Sequence, residues 1–167
     1  MENMKTIVIG LGNPILGDDG VGWKVVEQIS ARFGAALGES LQISEAEHLT
    51  FDCAALGGLS LMERLVGYQR AILVDSMETG QSPEGSVRVF PLEALANPMA
   101  GHSASAHDTS LLTALETGRQ MGLDLPRSVT VAAIEAKNVY DFSEELSPPI
   151  AAAVPIAVQA VLNLLAP

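Results

Sequence analysis

Apolar positions at the start of the chain change from a strand pattern to a helix pattern. Residues 5–10 (KTIVIG) are apolar and β-branched and end at glycine, which predicts a short buried strand. After a loop, LGNPILGDD, apolar residues recur every four positions, which predicts a helix from Gly20 with one buried face. Its apolar stripe consists of Val21, Val25, Ile29 and Phe33.

Both patterns repeat along the rest of the chain. Strands are predicted at residues 41–47, 70–75, 86–90 and 129–134. Helices are predicted at residues 56–66, at 108–121 and from Ser147-Pro148-Pro149 onward, with Ser147 as the cap. Strands that alternate with helices form crossover units. We therefore expect an α/β fold with three layers, α/β/α, around a mostly parallel, twisted five-stranded sheet.

Length and composition indicate one folded domain. The chain has 167 residues, of which 48% are apolar and 17% charged. A chain of this length has room for a proper core, and the large apolar share excludes a disordered chain. We expect residues 1–167 to form a single domain.

Charge and cysteine content restrict the partners and the compartment. Nine Lys and Arg residues stand against 20 Asp and Glu, so the net charge is −11. An acidic surface repels phosphate backbones, which argues against nucleic acid as the main partner. Cys53 is the only cysteine, so neither an internal disulfide nor a Cys-based zinc site can form. We expect a cytoplasmic protein.

The apolar C-terminal stretch, residues 150–166, could in principle be a membrane anchor. It contains Pro155, Gln159 and Asn163 and is shorter than the ~20 residues of a membrane helix. The N-terminal sequence MENMKTIVIG lacks the pattern of a signal peptide. We expect a terminal helix docked on the core, kinked or starting late at Pro155, and no membrane insertion.

Three polar residues are predicted at the carboxyl edge of the sheet, where ligand sites of such folds form. Asp19 lies in the loop after the first strand, Asp75 ends the third strand, and His107 precedes the helix at 108–121. Carboxylate oxygens and imidazole suit nickel, zinc and similar divalent ions, and three protein ligands leave positions open for water or substrate. The simpler alternative is that these acids are ordinary loop residues and that Asp19 only complements a helix dipole.

Four segments together resemble the hydrogenase maturation endopeptidases. They are IVIGLGNPILGDDGVGWKVVEQI, the Gly57-Gly58 segment, AILVDSMETGQSPEG around Asp75 and SAHDTSLLTAL around His107. The resemblance covers nearly the whole chain, and the segments follow the order of the family. It implies a five-stranded twisted sheet between helices. It also implies an endopeptidase that removes a C-terminal extension from the hydrogenase large-subunit precursor after nickel insertion.

The resemblance further implies that Asp19, Asp75 and His107 contact the metal. Asp18 and His102 are the neighbouring alternatives, but His107 has the matching SAHD context. Nickel arrives with the substrate, where cysteine thiolates hold it, and zinc or cadmium can occupy the same site. Nickel would then be the feature by which the enzyme distinguishes a nickel-loaded precursor from one without nickel.

Two routes to hydrolysis stay open at this stage. Metal can polarise the carbonyl or activate water, or Asp19 or Asp75 can act as general base, as in an aspartyl-type endopeptidase. Gly10, Gly12 and Asn13 are predicted to shape the loop that orients Asp19.

Two other classes of protein have motifs similar to parts of the first segment. GLGNP also opens peptidyl-tRNA hydrolases, but the following DDGVGWKVV has no histidine, which that family requires. A nucleotide-binding module would need GxGxxG, and here the third glycine position is Ile15. Cys53 is interpreted as a packing residue rather than a nucleophile, and Trp23 as packing on the first helix.

Overall fold

The computed structural model describes residues 3–96 and 106–166, with backbone only for residues 106–109. The strands are β1 (Met4–Leu11), β2 (Ser40–Ser44), β3 (Glu47–Ala54), β4 (Arg70–Met77), β5 (Val87–Pro91) and β6 (Ser128–Glu135). The helices are α1 (Val21–Phe33), α2 (Gly58–Leu65), α3 (Ala106–Gln120) and α4 (Pro148–Leu165). Short 3₁₀ turns lie at Gly17–Gly20 and Leu92–Ala96.

The strands of the described residues form one sheet in the order β2-β3-β1-β4-β6-β5. β1 pairs in parallel with both β3 and β4, and β4 pairs in parallel with β6. The two edge strands, β2 and β5, are antiparallel to their neighbours. From β1 the chain first builds towards β3 and then crosses to β4. The order of the strands therefore reverses between β1 and β4, where such sheets form ligand sites.

The three-layer, mostly parallel α/β/α fold is confirmed, but the predicted strand count of five was wrong. The apolar pattern predicts one strand at residues 41–47, whereas β2 ends at Ser44 and a separate strand, β3, begins at Glu47. A tight turn at residues 45–46 reverses the chain, and Ala46 O accepts a hydrogen bond from Met4 N. Leu41 and Ile43 alternate with polar residues, and the alternation shifts by one position at Glu45-Ala46, where the turn lies.

Helices cover both faces of the sheet and separate two apolar cores. On one face α2 and α3 contribute Leu61, Leu65, Leu111 and Leu115, which pack against Ile7 and Ile9 of β1. On the other face α1 and α4 contribute Val25, Ile29, Val154 and Val158, which pack against Val8. Successive residues of β1 thus point into opposite cores, as a strand buried on both faces requires.

Helix α4 docks one of its faces on the core. By length and composition alone it could cross a membrane, and a third of it, 33%, is buried. Its buried face includes Ile150, Val154 and Val158, in agreement with the docked-helix prediction. The helix begins at Pro148 and continues through Pro155, so the late start that Pro155 suggested was wrong.

Candidate functional site

The start of α1 lies directly on the carboxyl ends of β1 and β4. A Cβ atom on Gly22 would stand 2.3 Å from Val74 O and 2.6 Å from Leu11 O, and one on Gly10 would stand 2.4 Å from Gly22 O. Any larger residue at Gly10 or Gly22 would push the helix off the strands. Gly10 and Gly22 therefore allow α1 to pack closely against the strands at the point where the strand order reverses.

The loop between β1 and α1 holds Asp19 in a fixed orientation. Gly12 has φ +113°, a conformation that other residues rarely adopt, and a Cβ atom there would meet Asp19 O at 2.0 Å. Asn13 N donates a hydrogen bond to Asp19 Oδ2 at 2.7 Å. Asn13 Oδ1 accepts one from Ile15 N at 3.2 Å, which closes the turn. The contacts of Gly12 and Asn13 agree with their predicted shaping of this loop, whereas Gly10 lies in β1 and makes room for Gly22 of α1.

Strand β4 meets this loop through Ser76. The Ser76 hydroxyl donates a hydrogen bond to Asp19 Oδ1 at 3.1 Å. Asp75, immediately before it, is 1% exposed, and its Oδ1 accepts a hydrogen bond from Ser76 N. Asp75 lies inside β4 rather than at its last residue, because the strand continues to Met77. Asp19, in the loop after β1, and Asp75, near the end of the neighbouring β4, are thus connected through Ser76.

Asp18 contacts a different part of the molecule from Asp19. It is fully buried, and its Oδ1 and Oδ2 accept hydrogen bonds from Ser147 N and Ser147 Oγ, both at 2.7 Å. Ser147 occupies the predicted cap position of α4, but its side chain makes no cap hydrogen bond. Its hydroxyl fastens α4 to the Asp18 turn instead.

Glu135, a buried acid at the same edge of the sheet, was not predicted from the sequence. It ends β6 and is 2% exposed. Glu135 Oε1 accepts hydrogen bonds from Thr79 N and Gly80 N at 2.8 Å each, and Oε2 accepts one from Thr79 Oγ1 at 2.7 Å. Glu135 therefore holds the loop that leaves β4 after Asp75 and Ser76. The signal was available: both SVTVAAIE and RAILVD end an apolar strand with an acid.

The third predicted metal ligand, His107, belongs to the first turn of α3. Helices α2 and α3 lie side by side in the same direction, since Gly58 adjoins Ser110 and Gly67 N donates to Asp124 O. Both helices therefore begin at the carboxyl edge of the sheet. The side chain of His107, and the whole of the alternative His102, lie outside the described residues. The three-residue ligand set stays a prediction.

Metal-binding chemistry fits the described part of this donor set. Each oxygen of Asp19 accepts one hydrogen bond from the protein, and a carboxylate has about four lone-pair positions in all. Asp19 can therefore keep both contacts and still bind an ion. Among the side chains that the structure describes, no group of three His, Cys, Asp or Glu residues is close enough to hold a metal. A metal ion at this site would take a further ligand from outside them.

Cys53 lies on β3 beside Gly10 of β1 and is suited to packing rather than to nucleophilic attack. Burial, with smaller contributions from the charges of Glu27 and Asp52, raises the pKa of the Cys53 thiol from 9.0 to about 12. A thiol with this pKa stays protonated near neutral pH and is a poor nucleophile. Its Sγ faces Trp23 O at 4.0 Å. The interpretation of Cys53 as a packing residue agrees with these properties.

Comparisons with known proteins identify the class of protein. The family model HycI, described as hydrogenase maturation protease, matches residues 36–164. The chain is 22% identical to a hydrogenase expression/formation protein, HupD, of Rhizobium leguminosarum bv. viciae, over 96% of this chain and 74% of the relative. It is 23% identical to HoxM of Cupriavidus necator, over 95% and 73% of the two chains.

Solved structures agree in fold. The hydrogenase maturating endopeptidase HybD from E. coli superposes with a TM-score of 0.75 at 19% identity, covering 97% of this chain and 92% of the other. The [NiFe] hydrogenase maturation protease HybD from Thermococcus kodakarensis gives 0.68 at 22% identity, covering 96% and 99%. The chain belongs to the hydrogenase maturation protease family, and it is a peptidase. The peptidyl-tRNA hydrolase and nucleotide-binding alternatives find no support in these matches.

Proposed function

We propose that this peptidase removes a C-terminal extension from the precursor of a hydrogenase large subunit once nickel has been inserted. Asp19, Asp75 and His107 add oxygen and nitrogen ligands to the nickel that the substrate carries. The observation that carries the proposal is the hydrogen bond from Ser76 to Asp19. It joins the loop after β1 to the end of β4, beside Asp75, where the strand order reverses.

The contacts around Asp19 support a role in which the carboxylate must be held still. Asn13 N and Ser76 Oγ approach different oxygens of Asp19 and fix its plane. A carboxylate held in this way loses little conformational freedom when it binds an ion. Carboxylate and imidazole are suitable ligands for nickel, and zinc or cadmium can replace it in the same donor set.

Two routes to peptide hydrolysis follow from this arrangement. In the first, nickel of the substrate polarises the scissile carbonyl or the attacking water. In the second, Asp19 or Asp75 takes the proton of the attacking water and returns it to the leaving amine, as in an aspartyl-type endopeptidase. We keep the cytoplasm as the compartment of this reaction, because a free cysteine such as Cys53 is typical of a reducing environment.

The proposal is tested with purified nickel-loaded precursor, whose mass shows whether the extension has been removed. Asp19→Asn, Asp75→Asn and His107→Ala are each expected to lower the cleavage rate by about 10²-fold or more, as loss of a catalytic or metal-binding group does. Asp124→Asn is the matched control, since Asp124 is exposed beside Gln69 and Lys5 at the opposite edge of the sheet. Melting temperatures show whether buried Asp75 is also needed for folding.

Nickel recognition is tested separately with precursor prepared without nickel. We expect the wild-type protein to leave this precursor uncut. Equal cleavage of both precursors would reject nickel recognition but not the peptidase. Normal cleavage by all three variants would reject the proposed site.

A further inference from the structure

Two of the chain's few aromatic residues are exposed in one short segment at the edge of the candidate site. The chain has one Trp, two Tyr and four Phe. Tyr68, Phe33 and Phe90 pack against the cores, and Phe51 is buried in one of them. By contrast, Tyr140 is 78% exposed and Phe142 is 86% exposed. Burying a side chain of this size stabilises a protein by about 1.5–3 kcal/mol, so the fold itself gains little from these two positions.

The segment that carries these aromatics is fastened to the loop that carries Asp19. Leu16 and Ser143 form a parallel bridge, Ser143 N donates to Ile15 O, and Gly17 N donates to Ser143 O. The register of this bridge sets Ile15 beside Phe142. Ile15 is itself 47% exposed, so the apolar surface continues from the segment onto the loop.

Further contacts secure both ends of the segment. Asn138 O accepts a hydrogen bond from Asp18 N at 3.1 Å, and Ser147 is held by the Asp18 carboxylate. Because Asp18 precedes Asp19 directly, whatever binds the segment is positioned with respect to Asp19. The surface of this segment is therefore an extension of the candidate site around Asp19 and not a separate site.

Acidic side chains surround the exposed aromatics. Asp141, Glu144 and Glu145 are all exposed. Asp141 and Glu145 also line a polar recess of about 290 Å³ between the Asp18 turn and the segment. The residues lining this recess include Asp18 and no Lys, Arg or His. Its chemistry therefore suits a Lys or Arg side chain placed next to an apolar contact.

We propose that Ile15, Tyr140, Phe142, Asp141, Glu144 and Glu145 form a docking rim for the folded body of the hydrogenase large-subunit precursor. The partner surface that fits it carries an apolar patch bordered by Lys or Arg. Docking there supplies affinity, while the extension itself reaches Asp19. Tyr and Phe are enriched at protein interfaces, Tyr also among the residues that contribute most to binding, and the rim around them is polar. This inference depends on the proposed function, because the occupant is its substrate.

The test measures both binding and cleavage of purified nickel-loaded precursor by the full-length protein. One variant combines Tyr140→Ser with Phe142→Ser, and a second combines Asp141→Asn with Glu145→Gln. The control combines Met121→Ser with Asp124→Asn, because Met121 is 72% exposed at the end of α3, at the opposite edge of the sheet.

Each rim variant is expected to weaken binding and raise KM by about tenfold or more, with kcat unchanged, because the rim contacts the substrate away from the reacting bond. The control variant is expected to match the wild type. Raising the salt concentration should weaken wild-type binding more than binding by the Asp141/Glu145 variant.

Unchanged binding by both rim variants would overturn the docking rim, whatever the cleavage rates. A fall in kcat with unchanged binding would overturn it as well. If the wild type binds the precursor but leaves it uncut, the proposed function fails, and the docking rim is still judged by binding. If the wild type does not bind the precursor, both proposals fail.

Discussion

The hydroxyl of Ser76 donates a hydrogen bond to Oδ1 of Asp19 across 3.1 Å and joins residues that are 57 positions apart in the chain. Ser76 is 5% exposed, so little water competes for this contact. Asn13 N holds the other oxygen of Asp19. The carboxylate is therefore fixed from the side of its own loop and from the side of β4.

Removing this hydroxyl tests whether the orientation of Asp19 matters for cleavage. A hydrogen bond to a charged group contributes about 1.5–3 kcal/mol. If the contact acts on Asp19, Ser76→Ala should lower kcat/KM for the nickel-loaded precursor by about tenfold, with a small change in melting temperature. Ser76→Thr keeps a hydroxyl and should restore most of the loss. Ser128→Ala, at the exposed start of β6, serves as the control. Full activity of Ser76→Ala would show that Asn13 suffices to hold Asp19.

The conformation of Gly12 provides a second test, with a matched glycine elsewhere. Gly12 and Gly38 both have positive φ, +113° and +81°, but a Cβ atom on Gly12 would meet Asp19 O at 2.0 Å, whereas one on Gly38 would meet nothing within 4 Å. Gly38→Ala should therefore cost only the backbone strain, about 1–2 kcal/mol. Gly12→Ala should cost more, and cleavage should fall because Asp19 is displaced. Urea unfolding and cleavage rates measure the two effects; equal losses in both variants would contradict the close approach.

The residues of this site that could be predicted from the sequence are those whose arrangement depends on neighbours close in the chain. Gly12, Asn13 and Asp19 lie within one loop, and their spacing follows from the turn that they form. The contacts of Ser76 and Glu135 were missed because their partners are 57 and 56 residues away, although the position of Glu135 at a strand end could have been recognised. Contacts over such distances depend on which strands become neighbours, and the local pattern of a single sequence does not reveal that order.

Strand β3 shows the same limit at the level of the fold. Its sequence, EHLTFDCA, mixes buried apolar residues with Asp52 and His48, and it follows β2 after only two residues. Leu49 and Phe51 are buried, whereas Asp52 is paired with Arg64 of α2. β3 lies inside the sheet, but its Asp52 forms an ion pair with a neighbouring helix. It therefore lacks the continuous apolar pattern of β1. The layer architecture was nevertheless predictable, because the alternation of strands and helices does not depend on this detail.

Glu135 is expected to stabilise the loop after β4 through the hydrogen bonds that its carboxylate oxygens accept, and not through its negative charge alone. Glu135→Ala leaves Thr79 N and Gly80 N without their acceptor and should lower the free energy of unfolding by about 1–3 kcal/mol, because Gly80 is exposed and Thr79 half-buried. Glu135→Gln keeps the shared acceptor oxygen, and its amide can donate to Thr79 Oγ1, so it should lose much less. Urea unfolding measures both variants. A Gln variant as unstable as the Ala variant would mean that the negative charge is required.

Alkaline pH should weaken the fold through Cys53, because burial raises the pKa of its thiol from 9.0 to about 12. Between these two values the folded protein holds a proton that the unfolded chain has lost, so stability falls as the pH rises. The contribution is complete below about pH 9 and is lost progressively towards pH 12. Cys53→Ser removes this titration, so the wild type should lose stability relative to the variant as the pH is raised from 8 to 10.5.

The same thiol gives a kinetic readout at constant pH. Because the thiolate is the reactive form, iodoacetamide should label folded Cys53 much more slowly at pH 8 than it labels the chain in urea. Cys53→Ser should also cleave nickel-loaded precursor at the wild-type rate, since the thiol takes no part in the proposed chemistry. Fast labelling of the folded protein, together with loss of cleavage in the variant, would instead identify Cys53 as an ionised, reactive group. Slow labelling agrees with the partial burial of Cys53 between β3 and α1, so fast labelling together with loss of cleavage is the result that would overturn its role as a packing residue.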